Sequence, residues 1–368
     1  MSLQVERLVD LAPSVATELD GHEGLWLGTD SELGYRGLIA IHSTRLGPAI
    51  GGTRLWRYQS MDDAIRDVLR LSSGMTYKNA VAGIPFGGGK SVILADGREN
   101  HPAARKALLR SHGRFIQTFG GRYYTGEDVN TRPEDMDIVL SETPYVAGTM
   151  RTTGDPSPTT AWGVFRAMQA AARSRWGSDN LFGKSVAVQG AGSVGSHLAR
   201  HLHEAGASVV IADLQRIRAE KVGEALGATV VASGEIHEMA VDIFSPCAMG
   251  GALNETTIPG LEAAIVVGGA NNQLATERDD ERLAGRGILY VPDFVANAGG
   301  VIKGVSEFTK ESDDSVERRV DGIYHTVLEV LRLAHERSTT PQVAALALAR
   351  LRLSKGMHLD SIGYGAQN

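Results

Sequence analysis

The sequence has one cysteine, no long apolar run and no block of basic residues, and each shortage narrows what the chain can be. Cys247 alone cannot close an intrachain disulfide, which fits a reducing compartment. Its neighbours in Ser245-Pro246-Cys247-Ala248-Met249 include no base, so the thiol reads as structural rather than nucleophilic. No apolar stretch approaches the roughly 20 residues of a membrane helix. The opening Met1–Arg7 lacks a basic segment followed by an apolar one, so no secretory signal is expected and the cytoplasm is the expected location. A net charge of -6 and a pI near 6.0, with no clustered Lys or Arg, argue against a nucleic-acid partner. No metal-ligating pattern is read, and no metal is expected.

What is present is the composition of a globular protein, 42% hydrophobic and 22% charged, in 368 residues. That length suits two domains. From about residue 185 to 292 one pattern repeats: a short apolar strand, a turn, an amphipathic stretch. The strands are expected at Val186–Gln189, Ser208–Ala212, Thr229–Ala232, Asp242–Phe244, Ala264–Val267 and Ile288–Val291, with helices at Ser196–Ala205 and Leu214–Leu226. This alternation predicts an α/β, doubly wound parallel sheet. The first part reads differently. Gly24–Thr29 and Arg36–Ser43 look like paired strands, Ser60-Met61-Asp62-Asp63 like a capping box opening a helix, and Leu108–Phe119 like another helix. A separate mixed-sheet domain is expected over residues 1–147, and a dinucleotide-binding domain over 148–334, with the join near Gly148–Pro158. Charged helices through Arg319–His335 and Gln342–Leu353 are expected to pack back across both, residues 335–368 returning to the first domain.

Val186–Gln189 runs directly into Gly190-Ala191-Gly192-Ser193-Val194-Gly195, and a helix follows. A G-x-G-x-x-G match is weak alone, but a preceding strand and a following helix are the context it requires. Gly190 permits the tight turn, Gly192 lets a pyrophosphate approach the backbone, and Gly195 lets the helix pack closely; Ser193 and Val194 lie at the helix start that faces the anion. The next strand ends at Asp213, placed to accept the hydroxyls of an adenosine ribose or, in the plainer alternative, to cap the next helix. A carboxylate there repels a 2′-phosphate, so NAD is expected over NADP, although Arg216 and Arg218 lie near.

The run Gly74–Lys90 carries Lys78 and Lys90, 12 residues apart, among glycines and apolar residues without another charge. Burial disfavours an ammonium, and two ammoniums sharing a cleft disfavour each other, so such a lysine can serve as a base near neutral pH. The alternative is a glycine turn with two lysines reaching to solvent.

Leu46–Arg54, Gly74–Lys90, Thr125–Asn130, the glycine fingerprint, Ser245–Gly251, Gly269–Gln273 and Pro292–Gly300 together resemble the leucine/phenylalanine/valine dehydrogenase family, in the same order over residues 25–305. The resemblance implies a substrate domain beside a Rossmann NAD-binding domain, and assembly as dimers or larger. It implies that Lys90 activates the water that attacks an imine and that Asp128 handles protons on the amino group. Lys78 then grips the substrate α-carboxylate, with the Gly52 backbone in the same cleft. Asn271 orients substrate against the nicotinamide, and Thr160 contacts the cofactor.

Glutamate enzymes of the wider superfamily carry a lysine at the position of Ile50, and an isoleucine there would leave a side-chain carboxylate unpaired. The implied substrates are therefore hydrophobic L-amino acids, converted to 2-oxo acid and ammonia. Gly126 matches the phenylalanine-type residue where leucine-type enzymes have Ala, and Gly304 replaces a bulkier leucine-type residue. Val301 is the leucine-type choice. Ser174-Arg175-Trp176 and Arg200–Glu204 are similar to segments of tryptophan dehydrogenases. A large or aromatic side chain is favoured, with a branched aliphatic one as the alternative. Two other readings are a non-catalytic NAD-binding regulator, disfavoured by the presence of Lys90 and Asp128, and a 2-hydroxy-acid dehydrogenase. The latter would want a histidine–carboxylate pair, whereas His42, His112 and His197 read as structural.

Overall fold

The computed structural model describes residues 3–9, 11–150 and 155–356. Residues 151–154 of the expected join and 357–368 of the expected C-terminal return lie outside these described residues. The described residues form two compact units, one within 3–150 with 307–309 and 349–356, the other 155–306 with 310–348.

The first unit contains β1 (Leu3–Arg7), α1 (Pro13–Ala16), β2 (Gly24–Asp30), β3 (Tyr35–Ser43), β4 (Ala49–Ile50), β5 (Thr53–Trp56), α2 (Met61–Val81), β6 (Gly87–Leu94), α3 (Pro102–Gln117), β7 (Tyr123–Tyr124) and α4 (Pro133–Leu140). Its sheet is mixed, in the order β1-β2-β3-β6-β4-β7 with β5 also on β6. The hairpin β2–β3 is antiparallel, as is β3–β6, whereas β4 and β5 both run parallel to β6. In effect β4 and β5 follow one edge of β6, broken at Gly51-Gly52, with Ile50 opposite Gly88 and Thr53 opposite Ser91.

Ser60 opens α2 by accepting the Asp63 N–H, and two acidic residues in the first turn suit the positive end of the helix dipole. The helix runs 21 residues, straight through Gly74. Ala64, Ile65, Val68 and Leu69 pack on Leu25, Leu38, Ala40 and Val92, so α2 covers one face of the sheet. Leu108, Leu109, Phe115 and Ile116 of α3 cover the other, on Ile39, Ile41, Leu55 and Ile93. Each large aliphatic side chain buried this way contributes about 1.5–3 kcal/mol. Period-two alternation thereby assigns Lys90 and Val92 to the α2 face, and Ser91 and Ile93 to the α3 face.

Gly74–Lys90 is therefore no continuous glycine turn. Its first half ends α2, and its three consecutive glycines begin β6. A Cβ on Gly87 would lie 1.9 Å from the Ser43 carbonyl oxygen, one on Gly88 2.1 Å from the Thr76 nitrogen, and one on Gly89 2.8 Å from the Tyr123 ring. The glycines strip the strand so that a helix, a loop and an aromatic ring can all close on it.

The second unit contains α5 (Ser157–Trp176), β8 (Ser185–Gln189), α6 (Ser193–Glu204), β9 (Ser208–Ala212), α7 (Arg216–Leu226), β10 (Thr229–Val230), β11 (Ile243–Pro246), β12 (Ile265–Val266), α8 (Arg278–Gly285), β13 (Leu289–Tyr290), α9 (Asp293–Ala296), α10 (Gly299–Thr309), α11 (Asp313–Glu336) and α12 (Pro341–Lys355), the last residues of α10 and α12 belonging to the first unit. All neighbours in the sheet β10-β9-β8-β11-β12-β13 are parallel. Strand order reverses between β8 and β11, the switch point of a doubly wound sheet. Several strands are shorter than their apolar runs. Val267, Ile288 and Val291 are buried although they lie outside paired strand, because burial rather than ladder pairing sets where the apolar residues go. The return to the first unit, expected from residue 335, begins at Ala349 instead, since α11 packs along α5 within the second unit. Among the described residues no helix is long and apolar enough to cross a membrane.

Candidate active site

Within the first unit, the α2 face of the sheet collects most of the residues singled out from sequence. Ile50 lies opposite both Gly88 and Tyr124, so Ile50, Gly88 and Lys90 share a face. Arg54, opposite Val92, lies on the same face. Lys90 is 5% exposed, and its Nζ donates to Asp128 Oδ2 at 3.1 Å. The loop holding Asp128 is tied down from several sides. The Asp128 N–H donates to Thr131 Oγ1, the Thr131 hydroxyl donates to the Thr53 carbonyl, and Asn130, at φ +61°, donates its amide to the Leu55 carbonyl. Gly52 lies directly beneath: a Cβ there would stand 2.4 Å from the Glu127 carbonyl oxygen and 3.0 Å from the Asp128 Cβ. Gly126 is different, since a Cβ there would meet only the Ala147 carbonyl oxygen, at 3.6 Å. Lys78 is half-buried near the end of α2, two residues past Thr76, which rests on Gly88.

Burial pushes the Lys90 pKa below the ordinary lysine range; Asp128 pulls it up, and Arg54 pushes it down again. Burial acts to raise Asp128, but the Lys90 and Arg54 cations outweigh it and hold the carboxyl below its usual range. Arg54 is thus a cation that bears on Lys90, one the sequence pattern had not pointed to. Arg54 Nε donates to Asp128 Oδ2 at 3.0 Å, and its Nη1 donates to Asp67 Oδ2 at 2.7 Å. Sequence reasoning missed both Arg54 and Asp67. A lone arginine two residues past Gly51-Gly52 was the available signal, but the carboxylate it reaches on α2 follows only from the fold. A buried lysine held against an ionised carboxylate can give and take a proton near neutral pH.

On the opposite face of β6, His112 is fully buried. Its Nδ1 meets the Tyr35 hydroxyl at 2.7 Å, and its Nε2 meets Ser91 Oγ at 3.0 Å and Thr53 Oγ1 at 3.1 Å. Burial lowers its pKa to about 3, so the ring is neutral and structural.

The remaining predicted residues lie on the second unit. β8 ends at Gln189, Gly190 turns at φ +107°, and α6 begins at Ser193 with Gly192 as its N-cap. A Cβ on Gly195 would stand 1.9 Å from the Gly190 carbonyl oxygen, so the helix start packs against the turn itself. A Cβ on Gly192 would meet nothing within 4 Å, leaving the loop's outer side open to a ligand. Asp213, just past β9, accepts the Ala191 N–H at 2.8 Å and the Gln215 N–H at 2.8 Å. It therefore braces the glycine turn and begins the turn into α7 at once. Ser193 Oγ donates to Asp155 at 2.6 Å, and Val194 packs on Gly269. A helix start with no side-chain cap, bare glycine backbone and a carboxylate just past the next strand fit a dinucleotide.

Asn271 is exposed, and its Oδ1 accepts from Nδ2 of the buried Asn297 at 2.8 Å. Thr160, in the first turn of α5, stands 2.7 Å from where a Cβ on Gly300 would be. Val301 and Gly304 follow on α10, and a Cβ on Gly304 would meet nothing within 4 Å. The structure thus brings Ile50, Gly52, Gly126, Asp128 and Lys90 together on one unit, and carries the Gly190–Gly195 turn, Asp213, Thr160, Asn271, Val301 and Gly304 on the other.

The chain is similar to known proteins over most of its length. Residues 29–145 match the Glu/Leu/Phe/Val dehydrogenase dimerisation domain, and residues 155–215 and 211–360 match Glutamate/Leucine/Phenylalanine/Valine dehydrogenase. A leucine dehydrogenase of Bacillus cereus is 44% identical over 328 residues, covering 88% of this chain and 89% of that protein. An L-tryptophan dehydrogenase of Nostoc punctiforme is 45% identical over 342 residues, covering 93% and 96%. The crystal structure of L-tryptophan dehydrogenase from Nostoc punctiforme superposes with a TM-score of 0.83 at 44% identity, over 93% of this chain and 98% of that one. The chain belongs to the Glu/Leu/Phe/Val family of amino-acid dehydrogenases.

Proposed function

We propose that the chain catalyses the reversible, NAD-dependent oxidative deamination of a hydrophobic L-amino acid to its 2-oxo acid and ammonia. The observation that carries this reading is the buried Lys90 held 3.1 Å from Asp128. Bound NAD supplies the acceptor for the hydride that leaves the substrate Cα. What remains is an imine, and the chain's own groups manage its hydrolysis. Lys90, as the neutral amine, takes a proton from water as that water attacks the imine carbon. Asp128, ionised at the start, then relays the hydroxyl proton of the resulting carbinolamine to its nitrogen, and ammonia leaves as the carbonyl forms. Lys78 holds the substrate carboxylate as a fixed cation beside the Gly52 backbone. These interactions count towards rate only as far as they favour the transition state over bound substrate.

In this reading the first unit is the substrate domain and the second the cofactor domain. The Gly190–Gly195 turn and the α6 start hold the pyrophosphate, Asp213 the ribose hydroxyls, and Thr160 a further part of the dinucleotide. Asn271, aimed by Asn297, orients the substrate. Asp213 already carries a charge where a 2′-phosphate would lie, and Arg216 is paired with Glu220 at 2.8 Å, which supports NAD over NADP. The similarity to leucine and tryptophan dehydrogenases extends to this chain as a hydrophobic preference, and the buried Ile50 offers an apolar contact where a charged side chain would lose its partner. Open space at Gly126 and Gly304 favours a large or aromatic side chain over a branched aliphatic one. A homo-oligomer in the cytoplasm completes the proposal. The test is a panel of L-amino acids with NAD, followed through the absorbance of the reduced nicotinamide. Phenylalanine or tryptophan above leucine and valine is the expected order. The reverse order overturns the aromatic preference, and activity on none overturns the enzyme reading.

A further inference from the structure

The charges around Lys90 form a chain rather than a pair. Asp128 Oδ2 accepts from Lys90 Nζ at 3.1 Å and from Arg54 Nε at 3.0 Å, so two cations compete for one oxygen. Arg54 is anchored from behind, its Nη1 on Asp67 Oδ2 at 2.7 Å. That same oxygen accepts the Tyr58 hydroxyl at 2.7 Å, and Asp67 Oδ1 takes Arg70 at 3.2 Å. Both Arg54 and Asp67 are largely shielded from water, where such contacts are worth more than at the surface.

We propose that Arg54 is a positioning residue for the reaction: anchored by Asp67, its planar fork fixes the Asp128 carboxylate against Lys90 and tempers the negative charge that Lys90 meets there. The inference rests on the acid–base reading of Lys90 given above. When Lys90 carries its proton, Arg54 weakens the hold of Asp128 on it, and the proton can leave. When Lys90 is neutral, Arg54 still balances Asp128, which stays ionised and does not recapture the proton. Lysine in place of Arg54 would supply a cation but could not span two carboxylates with a rigid fork.

The ionisable groups on and beside the elements packed against β6 are Arg54 on β5 with Tyr58 just beyond it, Asp62, Asp63, Arg66, Asp67, Arg70, Tyr77 and Lys78 on α2, Tyr35, Arg36 and His42 on β3, and Asp128 in the loop after β7. Among them Arg54 pushes the Lys90 pKa down, whereas Asp128 and Asp67 pull it up. Removing Arg54 and removing Asp67 therefore act on Lys90 with opposite signs.

The experiment is the pH dependence of kcat/KM for oxidative deamination in Arg54→Gln, Arg54→Lys and Asp67→Asn, each checked for folding by its melting curve. Arg54→Gln moves the acid limb to higher pH by about one unit, roughly a tenfold loss on the acid side that is recovered in alkali. Asp67→Asn moves the limb to lower pH. Arg54→Lys returns the limb towards the parent while kcat stays low. If Arg54→Gln does not fold, a downward shift in Asp67→Asn beside a near-parent limb and low kcat in Arg54→Lys still supports the inference, and an unmoved limb in Asp67→Asn overturns it. An unmoved limb in Arg54→Gln or Asp67→Asn, or a shift of the same sign in those two, overturns the inference. Lys90→Ala separates the two failures. If that variant keeps its turnover, the acid–base reading has failed; if it is inactive and the limbs stay put, only the role of Arg54 has failed.

Discussion

Gly52 and Asp128 are packed so closely that no side chain fits between them: a Cβ on Gly52 would lie 3.0 Å from the Asp128 Cβ and 2.4 Å from the Glu127 carbonyl oxygen. The break between β4 and β5 is thus the seat of the carboxylate that faces Lys90. Gly126, one turn of the chain away, carries no such constraint.

That contrast makes a paired prediction. Gly52→Ala forces the Asp128 loop to shift, costs about 1–3 kcal/mol of stability by overpacking, and lowers turnover on every substrate. Gly126→Ala leaves stability close to the parent and changes selectivity instead, lowering kcat/KM for aromatic substrates relative to leucine by roughly 10–200-fold. Melting temperatures and a substrate panel on both variants check this. Equal losses of stability at the two sites would contradict it.

Asp213 accepts two backbone hydrogen bonds, from Ala191 in the glycine turn and from Gln215 in the turn into α7, beyond its proposed role toward ribose. Asp213→Ser should weaken NAD by about 10–100-fold, the cost of one or two hydrogen bonds to a charged group, and narrow the gap between NAD and NADP. Isothermal titration with both dinucleotides measures it. An NAD affinity equal to the parent's would remove Asp213 from the site.

His112 ties stability to pH. Its folded pKa is about 3 against 6.5 for an ordinary histidine, so below pH 6.5 the unfolded chain binds a proton that the folded chain refuses. The stability it contributes is full above pH 6.5 and is lost as pH falls towards 3, with a slope approaching about 1.4 kcal/mol per pH unit. His42, lowered to about 4, adds to the same trend. Urea midpoints should fall steadily from pH 7 to 5; a flat profile would contradict the buried neutral ring.

The parallel sheet and the glycine turn were readable because both leave local marks: apolar runs of strand length, and glycines at fixed spacing between a strand and a helix. Lys90 and Lys78 stood out for the same kind of reason, two charges in an otherwise uncharged run. Strand ends were less readable, since Val267 and Val291 are as buried as their paired neighbours. The Arg54–Asp67 link was not readable. Nothing local marks Asp67 among the acidic residues of α2, and its meaning comes from the register that sets Arg54 beside Lys90. Asn297, which aims Asn271 at 2.8 Å, was hidden likewise: the motif was visible but not which asparagine holds which.

The account turns on Lys90, and steady-state turnover of Lys90→Ala, measured beside its NAD affinity, tests it most directly. The buried amine held by Asp128 predicts a fall in kcat of about 10²–10⁴-fold, the usual worth of a positioned general base, with dinucleotide binding unchanged. Turnover close to the parent's, in a folded variant that binds NAD, would contradict it.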